Sequence, residues 1–136
     1  MQVNMTKIIN TSGKRKRAIA RAVLKPGKGL VFVNSQPLEN YQPKMCRLKI
    51  KEPLLMAKEA VGKVEIHVSV KGGGFNSQAE AVRLAIARAL LQFDKKLEKP
   101  FLEYDRHLLV ADVRRKEAAK PNRHGKARSK KQKSYR

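Results

Sequence analysis

Lys71-Gly72-Gly73-Gly74-Phe75-Asn76-Ser77-Gln78-Ala79-Glu80 joins the clearest strand pattern in the chain to its clearest helix pattern. Upstream, Val64, Ile66, Val68 and Val70 alternate with Glu65, His67, Ser69 and Lys71. That period of two gives a strand one apolar and one polar face. Downstream, Val82, Ala85, Ile86, Ala89, Leu90 and Phe93 fall at i, i+3, i+4, i+7, i+8 and i+11, the stripe of an amphipathic helix. Ser77 and Glu80 stand at capping-box spacing, which predicts a helix start at Ser77. The abundance of alanine suits a helix lying close to a sheet. The three glycines carry two readings. One is a tight turn with positive φ. The other is an anion held by free amides at the positive end of a helix. No Lys-Ser or Lys-Thr pair follows, so this is not a Walker loop. Ser77 stands where a dinucleotide fingerprint needs its third glycine.

Working outward, the 136 residues suffice for one domain with a real core. The formal net charge is +21, and it is unevenly placed. Residues 1–29 hold eight lysines and arginines and no acid; residues 113–136 hold eleven against Glu117 alone. The stretch between balances thirteen cations with ten acids. The middle is therefore globular in composition, and the ends seek a polyanion. A globular unit over 1–112 and a basic tail over 113–136 follow.

Ala18, Ala20, Ala22 and Leu24 alternate with Arg17, Ile19, Arg21 and Val23, which suits a strand with a small-residue inner face, although the same residues are good helix formers and the pattern alone leaves both open. A hairpin across Pro26-Gly27-Lys28-Gly29 to the run Leu30–Val33 is expected, with Arg15, Arg17 and Arg21 sharing one strand face. Asn34-Ser35-Gln36-Pro37 reads as a turn. A helix is expected within 41–50, a second opening at Pro53 and ending at Gly62, and a short one from Pro100 to Tyr104. Residues 118–136 show no apolar periodicity and cannot order themselves by burial.

The chemistry is that of binding. Cys46 alone excludes an internal disulfide or a thiolate cluster and reads as a buried apolar residue in a reducing compartment. His67, His107 and His124 have no ligand spacing, so no metal and no cofactor are expected. No serine sits in a nucleophile elbow. No run approaches membrane-span length and no signal-peptide pattern is present, so a cytoplasmic protein with no membrane partner is expected. Two cationic ends flanking a compact centre point to nucleic acid through counterion release. The scarcity of aromatics favours backbone and shape recognition of folded RNA over base stacking.

The run Gly72-Gly73-Gly74, Ser77-Gln78, Ala81, Ala85, Ala87-Arg88-Ala89-Leu90 resembles the signature of the small-subunit ribosomal protein S-nine family. Gly13-Lys14-Arg15-Lys16, Ala18, Ala20, Gly27, Gly29, Val33-Asn34, Pro37-Leu38 and Tyr41 match its first third; Asp105-Arg106, Asp112, Arg114-Arg115 and Glu117 match the entry to its tail. The ending Gln132-Lys133-Ser134-Tyr135-Arg136 resembles the archaeal and eukaryotic branch, and Ser35 departs from the family's usual glycine. The resemblance implies an α+β two-layer sandwich, a mostly four-stranded sheet with helices on one face like the second domain of ribosomal protein five, plus an extended basic tail. It implies a structural, non-enzymatic constituent of the small subunit, bound to the 3′ major (head) domain of small-subunit rRNA beside neighbouring head proteins. Implied rRNA contacts are Lys14, Arg15, Lys16, Arg17, Arg21, Gly72, Gly73, Gly74, Arg114, Arg115, Lys116, Arg123, Lys126, Arg128, Lys130 and Lys131. Lys133, Ser134, Tyr135 and Arg136 are implied to meet the anticodon stem-loop of the peptidyl-site tRNA. A free-standing basic RNA chaperone is the alternative reading.

Overall fold

The strand before the glycine turn, Val64–Lys71, lies in the middle of the sheet. In the computed structural model, which describes residues 7–129, the strands are β1 (Ile9–Arg15), β2 (Ala18–Pro26), β3 (Val31–Val33), β4 (Gln36–Pro37) and β5 (Val64–Lys71). Their order across the sheet is β1-β2-β5-β3-β4. β5 pairs antiparallel with β2 and parallel with β3; the outer pairs are antiparallel. The helices are α1 (Lys44–Met56), α2 (Lys58–Val61), α3 (Phe75–Phe93) and α4 (Glu98–Tyr104).

Alternation in β2 and β5 places Ala18, Ala20, Ala22, Leu24, Val64, Ile66, Val68 and Val70 on one buried face. α3 lies across that face over β1, β2 and β5, and α1 packs beside α3. The second contact explains why burial on α3 is broader than one stripe. Ala79, Ala81, Leu84 and Ala87 are buried as well as the predicted Val82, Ala85, Ile86, Ala89 and Leu90, while Phe93 is half-buried. Phe101 of α4 and Leu108 close the core, which contains no buried charged residue among those described.

Close approach, rather than bulk, joins β1 to α3. A Cβ on Gly13 would stand 2.2 Å from the Ala81 carbonyl oxygen and 2.7 Å from the Ala85 amide nitrogen. Two residues earlier on the same face, the Thr11 hydroxyl donates to the Ala85 carbonyl at 2.8 Å.

Several expectations are corrected. β2 and β3 do not form a hairpin, because β5 inserts between them. β2 instead pairs with β1, a strand whose polar residues Asn10, Ser12 and Lys14 and small residues Thr11 and Gly13 leave no apolar rhythm. Arg15, Arg17 and Arg21 do not share a face. Arg15 lies opposite buried Ala18 and turns toward the helices, Arg17 is in the turn, and Arg21 lies opposite Ser12 on the open face. Pro53 does not open a helix but sits buried inside α1. The lost amide is tolerated because packing of Ile50 and Pro53 holds the helix, and the break falls at Ala57 instead. The expected α+β sandwich with helices on one face stands; its sheet counts five strands because the two-residue β4 joins the other four. Ser77 does not cap α3. The helix starts at Phe75 with Gly74 as its N-cap and no side-chain cap.

Candidate nucleic-acid interface

The glycine turn and the β1–β2 turn are pressed together. Gly72 (φ 82°) and Gly73 (φ 67°) are left-handed. A Cβ on Gly72 would come 2.6 Å from the Arg17 carbonyl, and one on Gly73 would come 3.1 Å from the Ala18 amide. The turn reading of these two glycines therefore holds on steric grounds. Gly74 differs, since a Cβ there would meet nothing within 4 Å. Beyond it the first amides of the 19-residue helix α3 have no side-chain cap, at the end where the helix dipole is positive.

Cations surround that end. Lys14, Lys16, Arg17, Gly73, Gly74 and Ser77 line a cleft of about 1130 Å³ with residues 114–119 of the segment that follows the last helical turn. Lys16 is itself left-handed (φ 54°), at the tip of the β1–β2 turn. The side chains of Lys14, Lys16, Arg17, Arg115 and Lys116 are exposed and make no ion pair or hydrogen bond among the described residues. Five uncompensated cations around a helix N-terminus form a strong anion-binding surface. Arg21 stands on the open sheet face, in the row Ser12–Arg21–Ser69, next to the row Lys14–Ile19–Lys71.

Other candidate cations are occupied within the protein. Arg15 pairs with Glu80 at 2.7 Å and Asp112 at 3.5 Å. Arg114 pairs with Asp112 at 2.8 Å. Arg128 pairs with Glu117 at 2.7 Å, and Arg123 donates to the Ser129 hydroxyl at 3.3 Å. Lys126 differs: its carbonyl accepts from the Lys120 amide and closes a loop over 120–126, while its ammonium makes no ion pair or hydrogen bond among the described residues. Lys130, Lys131, Lys133, Ser134, Tyr135 and Arg136 lie outside the described residues.

The sequence marks Asp105 and Asp112 only as matches to the family and Glu80 only as part of a capping box; their role as anchors depends on tertiary partners that no local pattern shows. The Asp112 carboxyl is held well below the usual carboxylate range, first by the hydrogen bond from the Arg114 side chain, then by the Arg114 amide and the charges of Arg114 and Arg15. Burial alone would raise Asp105, but the His107 amide and the Arg83 guanidinium outweigh it and lower the carboxyl. Arg83 reaches Asp105 at 3.2 Å and Glu52 at 2.5 Å, tying α3 to α1 and to the turn after α4. His67 accepts no metal-like company. Its ring stacks on Phe32 with centroids 4.9 Å apart and its Nε2 lies 2.6 Å from Glu65. Cys46 is buried, its thiol 3.7 Å from the Phe75 carbonyl. No group of three metal-ligating side chains occurs among the described residues, and no helix among them is long and apolar enough to cross a membrane.

The class is therefore a two-layer α+β body with an exposed cationic cleft and a basic extension, a surface suited to polyanions. Comparison with known proteins gives the family. The family model for ribosomal protein S9/S16 matches residues 13–136, and the chain belongs to that family. A relative from Methanothrix thermoacetophila, named small ribosomal subunit protein uS9, is 51% identical over 132 residues, covering 96% of this chain and 99% of its own length. Its namesake from Methanococcus maripaludis is 46% identical over 133 residues, covering 96% and 99%. The family consists of ribosomal proteins and is not enzymatic.

Proposed function

We propose that the chain is a structural constituent of the small ribosomal subunit in the cytoplasm, and that it acts by binding without catalysis. The body over 1–112 anchors on the 3′ major (head) domain of small-subunit rRNA beside neighbouring head proteins. The tail over 113–136 runs to the anticodon stem-loop of the peptidyl-site tRNA, where Lys133, Ser134, Tyr135 and Arg136 meet it. The observation that carries this reading is the cluster of Lys14, Lys16, Arg17, Arg115 and Lys116 around the uncapped start of α3. A phosphate backbone entering that cleft meets free amides, a favourable dipole and five cations together. Gly74 keeps the approach open, because no side chain projects there. Arginine suits the tail, since its planar fork takes two phosphate oxygens at once.

The test is binding of the full chain to a transcript of the 3′ major domain and to a second rRNA domain of equal length, at moderate salt. The reading requires a clear preference for the 3′ major domain and co-sedimentation of the tagged chain with small subunits through a high-salt gradient. Equal binding to both transcripts, with loss from subunits at modest salt, would make the protein a nonspecific RNA binder.

A further inference from the structure

We propose that Arg15 and Asp112 form a latch that sets the direction in which the basic segment after residue 112 leaves the body, so that Arg15 acts inside the protein and not on RNA. The inference rests on the polyanion-binding reading for its purpose, although the latch itself is a property of the free chain. Arg15 sits among the exposed cations Lys14, Lys16 and Arg17, yet its side chain is only 13% exposed. The reason is register. Arg15 pairs with buried Ala18, so its side chain falls on the helix face of the sheet. There its Nε donates to Glu80 of α3 at 2.7 Å, and its Nη1 approaches Asp112 at 3.5 Å and the Arg114 carbonyl at 3.4 Å.

Asp112 completes the arrangement. It is equally enclosed, and it accepts from the Arg114 amide at 2.9 Å and from the Arg114 guanidinium at 2.8 Å. A second tie lies farther along α3, where Arg88 donates to the Leu109 carbonyl at 3.2 Å and the Ser12 carbonyl at 2.9 Å. One strand and one helix thus hold both residue 109 and residues 112–114. A planar guanidinium can serve a helix acid and a segment acid at once, whereas an ammonium is a point charge. A fixed root keeps Arg115 and Lys116 over the cleft, which raises their effective concentration at any phosphate bound there. A loose root would spread the same two charges through solvent.

The test uses the full chain twice. In the free protein, 15N relaxation of the Arg115 and Lys116 amides should give order parameters of about 0.8, falling below about 0.6 in Arg15→Gln while the amides of α3 stay rigid. In RNA binding, Arg15→Gln should weaken the complex with the 3′ major domain transcript about tenfold, but less than about twofold when Arg115→Gln and Lys116→Gln are already present. Equal loss in both backgrounds would make Arg15 a direct phosphate contact and overturn the latch, as would unchanged relaxation in Arg15→Gln. If the wild-type chain shows no preference for the transcript, the functional reading falls, and the relaxation experiment still decides the latch.

Discussion

Replacing Gly13 by alanine adds a single methyl group, and the structure gives it nowhere to go. The new Cβ would lie 2.2 Å from the Ala81 carbonyl oxygen and 2.7 Å from the Ala85 amide nitrogen, both backbone atoms of α3. Neither can swing aside as a side chain could, so α3 and β1 must separate by roughly 1 Å to reach ordinary contact. Overpacking of this kind costs about 1–3 kcal/mol. Separation also stretches the Thr11 hydroxyl bond to the Ala85 carbonyl, worth about 1 kcal/mol. The lower chain entropy of alanine in the unfolded state returns about 0.5 kcal/mol. The net loss is about 1.5–3.5 kcal/mol, which for a folded body near a hundred residues lowers the melting temperature by about 6 °C or more. Thermal melts followed by far-ultraviolet circular dichroism would measure it, with Gly74→Ala as the control, because a Cβ at Gly74 meets nothing within 4 Å. Gly74→Ala should stay within about 1 kcal/mol of wild type. A Gly13→Ala melt within about 2 °C of wild type would refute the claim that backbone contact joins β1 to α3.

Ser35 holds φ at 67° in the two-residue turn between β3 and β4, so Ser35→Gly should stabilise the protein by about 0.5–1 kcal/mol in urea titrations. The Asp105 and Asp112 carboxyls are depressed in the folded state; the stability they confer is complete above the unfolded carboxylate range near pH 4 and is lost as pH falls through the lower folded values. Melts between pH 5 and pH 2 should therefore show a steeper decline in wild type than in the Asp105→Asn/Asp112→Asn double variant. Lys16→Gln and Arg17→Gln should each reduce the salt slope of RNA binding by about 0.7–0.9. Arg83→Gln, which breaks the ties to Glu52 and Asp105, should lower the melting temperature and leave that slope unchanged.

The legible parts of the fold were those written as periodicity. Val64 to Val70 and Val82 to Phe93 announce β5 and α3, whereas the alanine alternation of β2 fits a strand but is built from residues that also favour a helix. β1 was invisible because its inward residues, Thr11 and Gly13, are chosen for close approach and not for hydrophobicity. The inserted position of β5 could not be read locally either, since pairing between β2 and β5 joins residues from Pro26↔Val64 to Ile19↔Lys71, far apart in the sequence. At the candidate interface, charge density marked the basic stretches but could not separate neighbouring cations. Lys14 and Lys16 are free while Arg15 between them is engaged with Glu80 and Asp112, a distinction set by strand register. Glu80 read as half of a capping box, and it pairs instead with Arg15 and, at 3.8 Å, with Lys49.

The central place of β5 also governs the order in which the chain can be built. β1 and β2 leave the synthesising ribosome first, then β3 and β4, yet neither pair can touch the other until residue 71 has emerged. At about 5–20 residues per second, the 45 positions between Pro26 and Lys71 represent roughly 2–9 s of synthesis. Through that interval the β1–β2 hairpin, joined by β3–β4 once Pro37 is made, displays unpaired edges beside the basic turn Lys14–Arg17, and each hairpin is marginal alone. The nascent chain therefore acquires its cations before it acquires its core, and ribosomal RNA close at hand can reach those cations before the fold is complete.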